Sequence, residues 1–174
     1  MKLSSPNDPT NNPAGRMNLP LRHKLPHAVP FWVPQNAVFY ITINCIPHHQ
    51  NHLAHPEIAN TIHASLLHYQ NMGKWWIRLF VLMPDHLHGL IVFSREQAVE
   101  SVVGNWKRYL ATHHQIHWQV NYHETRIRDR AMLIEKRDYI RANPVRQGLV
   151  QTPDDWSYQW HDGCSRQQSP ETMW

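Results

Sequence analysis

Two pairs of side chains in this sequence have the types and spacing for chemistry. His86 and His88 lie one residue apart in the run VLMPDHLHGLIVF, residues 81–93, and Tyr139 and Asn143 lie one helical turn apart in YIRANPVRQGLV, residues 139–150. On a strand, residues i and i+2 face the same side, so the two histidines project together, in line with Leu90 and Val92. Two imidazoles at the end of a buried face need partners: a shared divalent metal is one solution, hydrogen bonds to backbone or carboxylate another. With fifteen histidines in 174 residues, about one His-x-His arises by chance, so the strand geometry carries the argument and the bare pattern does not. At 100° per residue, Met132, Tyr139 and Asn143 fall within about 40° of one another. Leu133 and Ile140 lie about 100° to 120° from Tyr139 and mark the core-facing stripe. Tyr139 and Asn143 flank that stripe, where side chains reach the edge of a sheet. The plainer reading makes them a boundary aromatic and a helix-ending residue before proline.

The elements that must position these residues are legible in outline. AVFYITINCI, residues 37–46, alternates Phe39, Ile41, Ile43 and Cys45 against Val38, Tyr40, Thr42 and Asn44 and predicts a first strand. Ile58, Ile62, Leu66 and Tyr69 recur at helical spacing with Gly73 behind them as a C-terminal cap, which predicts a helix over 57–72. WWIRLFVLM (75–83) and HLHGLIVF (86–93) are rich in β-formers and separated by Pro84-Asp85, a turn pair, so they predict a tight antiparallel hairpin. Ser94 and Gln97 have the spacing of a capping box, and Val99, Val102, Val103, Trp106 and Leu110 form the apolar stripe of a second helix over 95–112, with Lys107 and Arg108 beside that stripe. A less regular segment, HWQVNYHETRIRD (117–129), leads into a third helix over 130–143, ended by Asn143-Pro144 because proline disfavours helical geometry in the residue before it. The order βαββα, with more irregular structure late, predicts an α+β fold: an antiparallel sheet with helices packed on it. No internal repeat interrupts it.

Residues 1–34 hold seven of the thirteen prolines and read as an extended lead-in, residues 35–157 as one folded domain, and residues 158–174 as a tail without an interpretable signal. Hydrophobic residues make up 41% of the chain, ordinary for one domain with a real core. No run of about 18 apolar residues occurs, and the first thirty residues lack a basic start followed by an apolar stretch, so the expected location is the cytoplasm, with no membrane partner. Cys45 and Cys164 are too few and too far apart for a disulfide framework or a CxxC metal knuckle and read as free thiols. The formal charge of +4 is a weak pointer to an anionic partner, but its placement says more: Lys107 to Arg146 contains nine Lys or Arg against four acids. A local basic surface of that kind suits phosphate.

Joined together, these motifs resemble a known family. PDHLH, residues 84–88, is similar to the His-hydrophobic-His signature of HUH single-strand endonucleases. WQVNYHETRIRDRAMLIEKRDYIRANPVRQGLV, residues 118–150, resembles the C-terminal half of the REP-associated tyrosine transposases, and LPHAVPFWVPQNAVFYITINCI resembles that family's entry into its first strand. The likeness spans about residues 25–156 and ends on Asp155-Trp156. It implies a ferredoxin-like sandwich with a central antiparallel sheet, His86, His88 and Asn143 as ligands of Mg²⁺ or Mn²⁺, and Tyr139 as the nucleophile that forms a 5′-phosphotyrosine. The implied substrate is single-stranded DNA at hairpins or palindromic repeats, and the implied state is a monomer or a homodimer. One departure stands out: the family often carries histidine before the Arg126-Ile127-Arg128 run, and this chain has Thr125.

The residue chemistry agrees with that implication. A tyrosine hydroxyl, with an ordinary pKa near 10, needs help to act as a nucleophile at neutral pH. Lys136, about 60° from Tyr139 on the helix, either favours the anion or is a solvated surface lysine. Two neutral imidazoles and an amide oxygen leave a metal with open positions, suited to Mg²⁺ or Mn²⁺ beside a phosphate, although two histidines also tolerate Zn²⁺. Lys107, Arg108, Arg126, Arg128 and Arg141 are candidate phosphate contacts, and Trp106, Trp118 and Tyr122 candidate platforms for unpaired bases, each with a structural alternative. Two other functions are compatible with parts of the pattern: a domesticated module that binds hairpin DNA without cutting it, and a histidine-rich Zn²⁺ hydrolase, for which Asp85 is the only acid beside the histidines.

Overall fold

The computed structural model describes Pro34 and residues 36–162. The lead-in before Pro34 and residues 163–174, Cys164 included, lie outside the described residues.

Five strands and three helices follow one another as β1 (Val38–Asn44), α1 (Pro56–Asn71), β2 (Trp75–Leu82), β3 (His86–Phe93), α2 (Val99–His114), β4 (His123–Arg126), α3 (Arg130–Arg146) and β5 (Gln159–His161), with one 3₁₀ turn at Pro153–Asp155. The strands form a single sheet in the order β4-β1-β3-β2-β5, with every pair antiparallel. The segment from β1 to β4 is a ferredoxin-like βαββαβ unit, as the motifs imply. No helix among the described residues is long and apolar enough to cross a membrane.

Alternation along β1 divides the molecule into two layers. Phe39, Ile41 and Ile43 face one side and join Phe80, Leu82, Leu87, Ile91 and Phe93 under Ile62 and Leu66 of α1 and Val102, Val103, Trp106 and Leu110 of α2. Tyr40 faces the other side and joins Leu79, Val81, Met83 and Leu90 under Ile140 of α3. With helices on both faces, β3 is buried at every residue after His86. This double cover is why its sequence runs apolar and does not alternate. The stripe read from the sequence as core-facing on α3 is the one that packs: Ile140 is fully buried and Leu133 lies against the same cluster.

The boundaries moved at several places. The second helix begins at Val99 with Ala98 as its cap and no side-chain capping bond. Among the described residues the Ser94 hydroxyl accepts only from the Glu96 amide, 3.3 Å away, so Ser94 and Gln97 close a turn and form no capping box. Part of the irregular segment pairs with β1 as the short strand β4. Residues 159–161, inside the tail for which the sequence offered no reading, pair with β2 as β5. The third helix does not end at Asn143 but continues through Pro144 to Arg146. Proline removes one helical N–H and strains the turn before it, and here burial of both Asn143 and Pro144 holds that turn in helical form. The helix closes two residues later, where Gly148 takes a φ of 70° that glycine adopts without strain. Gly73 ends α1 in the same way, at a φ of 65°.

Candidate functional site

The hairpin places the two histidines. The chain turns at Pro84-Asp85, and the Met83 amide donates to the His86 carbonyl across the turn, 2.8 Å. The turn is tied down from outside as well, because the Pro84 carbonyl accepts from the His52 and Leu53 amides at 2.8 and 3.0 Å. His86 and His88 then face the α3 side of the sheet, with ring centroids 4.8 Å apart. Register sets their neighbours: Thr42 lies opposite His88 and Asn44 opposite His86 on β1.

His88 is 3% exposed and its ring is bonded at both nitrogens. Nδ1 lies 2.9 Å from the Thr42 hydroxyl and 3.2 Å from the Tyr40 hydroxyl. Nε2 lies 2.7 Å from the side-chain amide of Asn143 on α3. As placed, the Asn143 Nδ2 donates to that nitrogen, and a half-turn of the amide would set its oxygen there instead. Burial, together with the neighbouring His86, pushes the His88 pKa down to about 3, so the ring is neutral at physiological pH. A neutral imidazole keeps one lone pair, the form in which histidine binds metals.

His86 is half-buried and its Nδ1 lies 2.7 Å from the Asp85 carboxylate. Burial raises the Asp85 pKa, but hydrogen bonds from the His86 ring and the His49 amide outweigh it and hold the carboxyl below its ordinary range. Tyr139 is 40% exposed, with its ring edge-on to His88 at 5.7 Å and to Tyr40 at 6.5 Å. The Arg146 guanidinium, two turns further along α3, stands 5.2 Å from the Tyr139 ring centroid. Lys136 pairs with Glu135 at 2.9 Å and sits 5.7 Å over the Tyr40 ring.

The structure therefore brings His86, His88, Asn143 and Tyr139 together on the face under α3. These donors fit a divalent cation: His88 Nε2 and the Asn143 amide converge, and His86 has one ring nitrogen turned away from its carboxylate partner. Among the described residues no group of three or more His, Cys, Asp or Glu side chains is arranged to hold a metal, so a three-donor set here depends on the Asn143 amide.

The five basic candidates are not brought together. Arg108, Arg126 and Arg128 are exposed, but Arg126 lies opposite Phe39 in the ladder and so belongs to the α1–α2 face, away from the histidines. Arg141 is paired with Asp154. Lys107 is only 9% exposed, and its amine donates to the Gln119 and Val120 carbonyls at 2.8 and 2.9 Å, which makes it an internal clamp on the loop before β4. Of the aromatic candidates, Trp106 and Trp118 stack on each other inside the core at 5.9 Å, out of reach of bases. The Tyr122 hydroxyl donates to Glu124 at 2.9 Å, with the Lys107 amine over its ring.

Four residues at the site were not singled out from the sequence. Tyr40 and Thr42 bond His88, Arg146 stands over Tyr139, and His123, opposite Thr42 on β4, lies 6.0 Å from the Tyr40 ring. The signal for Tyr40 and Thr42 was their place on the less apolar alternation of β1, which becomes informative only once the β1–β3 register is known. His123 shares the face of Thr125, the position where the family often has histidine, and its Nε2 lies 2.9 Å from the Thr125 hydroxyl.

No family model matches the chain, and no curated protein matches it in sequence. In three dimensions it is similar to the solved structure of a REP-associated tyrosine transposase bound to a REP hairpin, with a TM-score of 0.64 and 20% identity, covering 72% of this chain and 77% of that one. Another similar structure is a candidate transposase from Deinococcus radiodurans R1, with a TM-score of 0.43 and 14% identity over 64% of this chain and 92% of that one. The first likeness shows that this chain has the fold of the REP-associated tyrosine transposase, as its motifs imply.

Proposed function

From a shared fold and the four converging side chains, we propose that this chain is a REP-associated tyrosine transposase of the HUH type, a metal-dependent enzyme that cleaves and rejoins single-stranded DNA beside hairpins. The observation that carries the reading is the meeting of two elements distant in sequence. The Asn143 amide reaches His88 Nε2 at 2.7 Å, and Tyr139, one turn earlier on α3, lays its ring against the same imidazole. An ordinary core would place apolar side chains at such a junction.

In the proposed reaction the Tyr139 hydroxyl gives up its proton to solvent water and its oxygen attacks the scissile phosphorus. The bond from phosphorus to the 3′ oxygen breaks, that oxygen leaves as a 3′-hydroxyl after taking up a proton, and the 5′ phosphate stays on Tyr139. One phosphodiester is exchanged for another, so a second 3′-hydroxyl can reverse the step and join a new strand. His86, His88 and Asn143 would hold Mg²⁺ or Mn²⁺, which supplies polarisation of a phosphate oxygen and stabilises the charge built up in the attack. Arg146 restrains the Tyr139 ring and places positive charge near the phosphate. The hairpin in the similar transposase structure supports hairpin DNA as the bound element here.

The test uses labelled single strands from the DNA that flanks the gene, incubated in Mg²⁺ or Mn²⁺ and resolved on a denaturing gel. Wild type is expected to give a covalent protein–DNA band and a cut strand, both dependent on metal and both lost in Tyr139→Phe. Retarded hairpin DNA on a native gel with no covalent band in wild type would refute the enzyme reading in favour of a binding protein.

A further inference from the structure

Asp85 has no assigned role beyond its place in the turn, yet its surroundings fix it more firmly than a turn requires. One carboxylate oxygen lies 2.7 Å from His86 Nδ1 and the other 2.7 Å from the His49 amide, so both oxygens have partners and the plane of the group is set. The backbone around it is fixed too: the Asp85 carbonyl accepts from the Cys45 amide at 2.7 Å. The neighbouring Pro84 carbonyl holds the His52 and Leu53 amides. The connection between β1 and α1 therefore holds these two residues at four points, Cys45, His49, His52 and Leu53.

An ionised carboxylate only accepts hydrogen bonds, so the His86 nitrogen facing it carries the hydrogen. A neutral ring so bonded has its lone pair on Nε2, and the ring can no longer rotate without breaking the bond to Asp85. Carboxylate partners of this kind fix the tautomer and raise the basicity of histidine ligands. His88 obtains its orientation differently, from two hydroxyls and the Asn143 amide, groups that either donate or accept. At His86 the partner is a carboxylate that only accepts, and it dictates the tautomer.

We infer that Asp85 is a positioning residue for the proposed metal-dependent cleavage: its carboxylate presets His86 as the Nδ1–H tautomer and leaves Nε2 as the ligating nitrogen. This inference rests on the proposed function for its purpose, and its first test does not need metal or DNA. Two-bond proton–nitrogen correlation spectra of metal-free, histidine-labelled protein are expected to show His86 as Nδ1–H in wild type and as a mixture of both tautomers in Asp85→Asn, whose single amide oxygen faces both the His86 ring and the His49 amide. In Asp85→Ala, His86 is expected to move towards Nε2–H while His88 keeps its wild-type pattern. Calorimetric titration with Mn²⁺ alone is then expected to show a loss of about 10- to 100-fold in affinity for Asp85→Ala and a smaller loss for Asp85→Asn. An Nε2–H tautomer of His86 in wild type, or no change in Asp85→Ala, overturns the inference. Equal Mn²⁺ affinities in wild type and Asp85→Ala overturn it as well. A tautomer switch in Asp85→Ala, beside a wild-type protein that neither binds Mn²⁺ nor forms the covalent DNA band, overturns the proposed function and leaves the tautomer assignment standing.

Discussion

Replacement of Lys107 by methionine separates a structural role from a DNA-binding one. In sequence Lys107 belongs to the basic segment and reads as a phosphate contact. In the fold its amine is turned inward onto the Gln119 and Val120 carbonyls, and its own pKa is lowered by burial. Methionine keeps the length of the stem and removes the charge. Hydrogen bonds to a charged group contribute about 1.5–3 kcal/mol each. The variant also escapes the desolvation of the ammonium, and both hydrogen bonds are only partly buried, so the net loss comes to about 2 kcal/mol in place of the full sum. For a domain of this size that is a fall of roughly 4–8 °C in Tm.

Two measurements taken together test this. Urea unfolding is expected to show Lys107→Met less stable by about 2 kcal/mol with an unchanged m value. Binding of single-stranded DNA across a salt series is expected to keep the wild-type slope of log Kd against log salt. Each phosphate contact to a single strand contributes about 0.7 to that slope. Arg128→Ala, by contrast, is expected to flatten the slope by that amount if Arg128 meets phosphate, at no cost in stability, since Arg128 is exposed. A Lys107→Met protein of wild-type stability with a flattened slope would refute the clamp.

Two further outcomes follow from the core. Among the described residues Trp118 Nε1 is buried without a hydrogen-bond partner, whereas Trp106 Nε1 donates to the Ser65 hydroxyl at 2.9 Å; chemical denaturation is expected to show Trp106→Phe costing about 1–2 kcal/mol more than Trp118→Phe. The Cys45 thiol is fully buried and its pKa is pushed up to about 12, mainly by burial. The folded state therefore keeps this proton where the unfolded chain loses it, and stability falls as pH rises from the ordinary thiol pKa towards 12, by at most about 1.4 kcal/mol per pH unit. Urea melts at pH 8 and pH 10 are expected to show this fall in wild type and a smaller one in Cys45→Ala.

The elements that carry long-period patterns were legible because each pattern reports one local geometry. The β1 alternation, the α1 stripe and the Pro84-Asp85 hairpin stand where the sequence places them, within a residue or two. What the sequence lacks is register. Nothing local says that Thr42 faces His88, yet that pairing decides which hydroxyls hold the imidazole. The same limit explains the basic residues: Lys107 and Arg108 are adjacent on one helix, and about 100° of rotation puts one inside and the other in solvent. Pro144 misled for a different reason. The preference of the residue before proline is a local energy of modest size, and it yielded to the burial of Asn143 beside His88.

The division of the sheet into two unequal layers bears on how such a site works. Among the described residues, twenty-one side chains form the core under α1 and α2, and six form the core under α3. The histidines are anchored in the sheet, which the large core stabilises, while Asn143 and Tyr139 ride on the helix held by the small one. Local stability follows such differences in buried apolar area, and elements with little of it open at lower free energy than the global fold. Nothing in the large core has to change for α3 to shift against β3. In the proposed reaction, where Tyr139 would attack one strand, hold it and release it to another, such a shift would serve the exchange, provided its partners return to the same geometry. Ile140 under the sheet, Asn143 on His88 and Arg146 over the tyrosine ring are the contacts that would restore it.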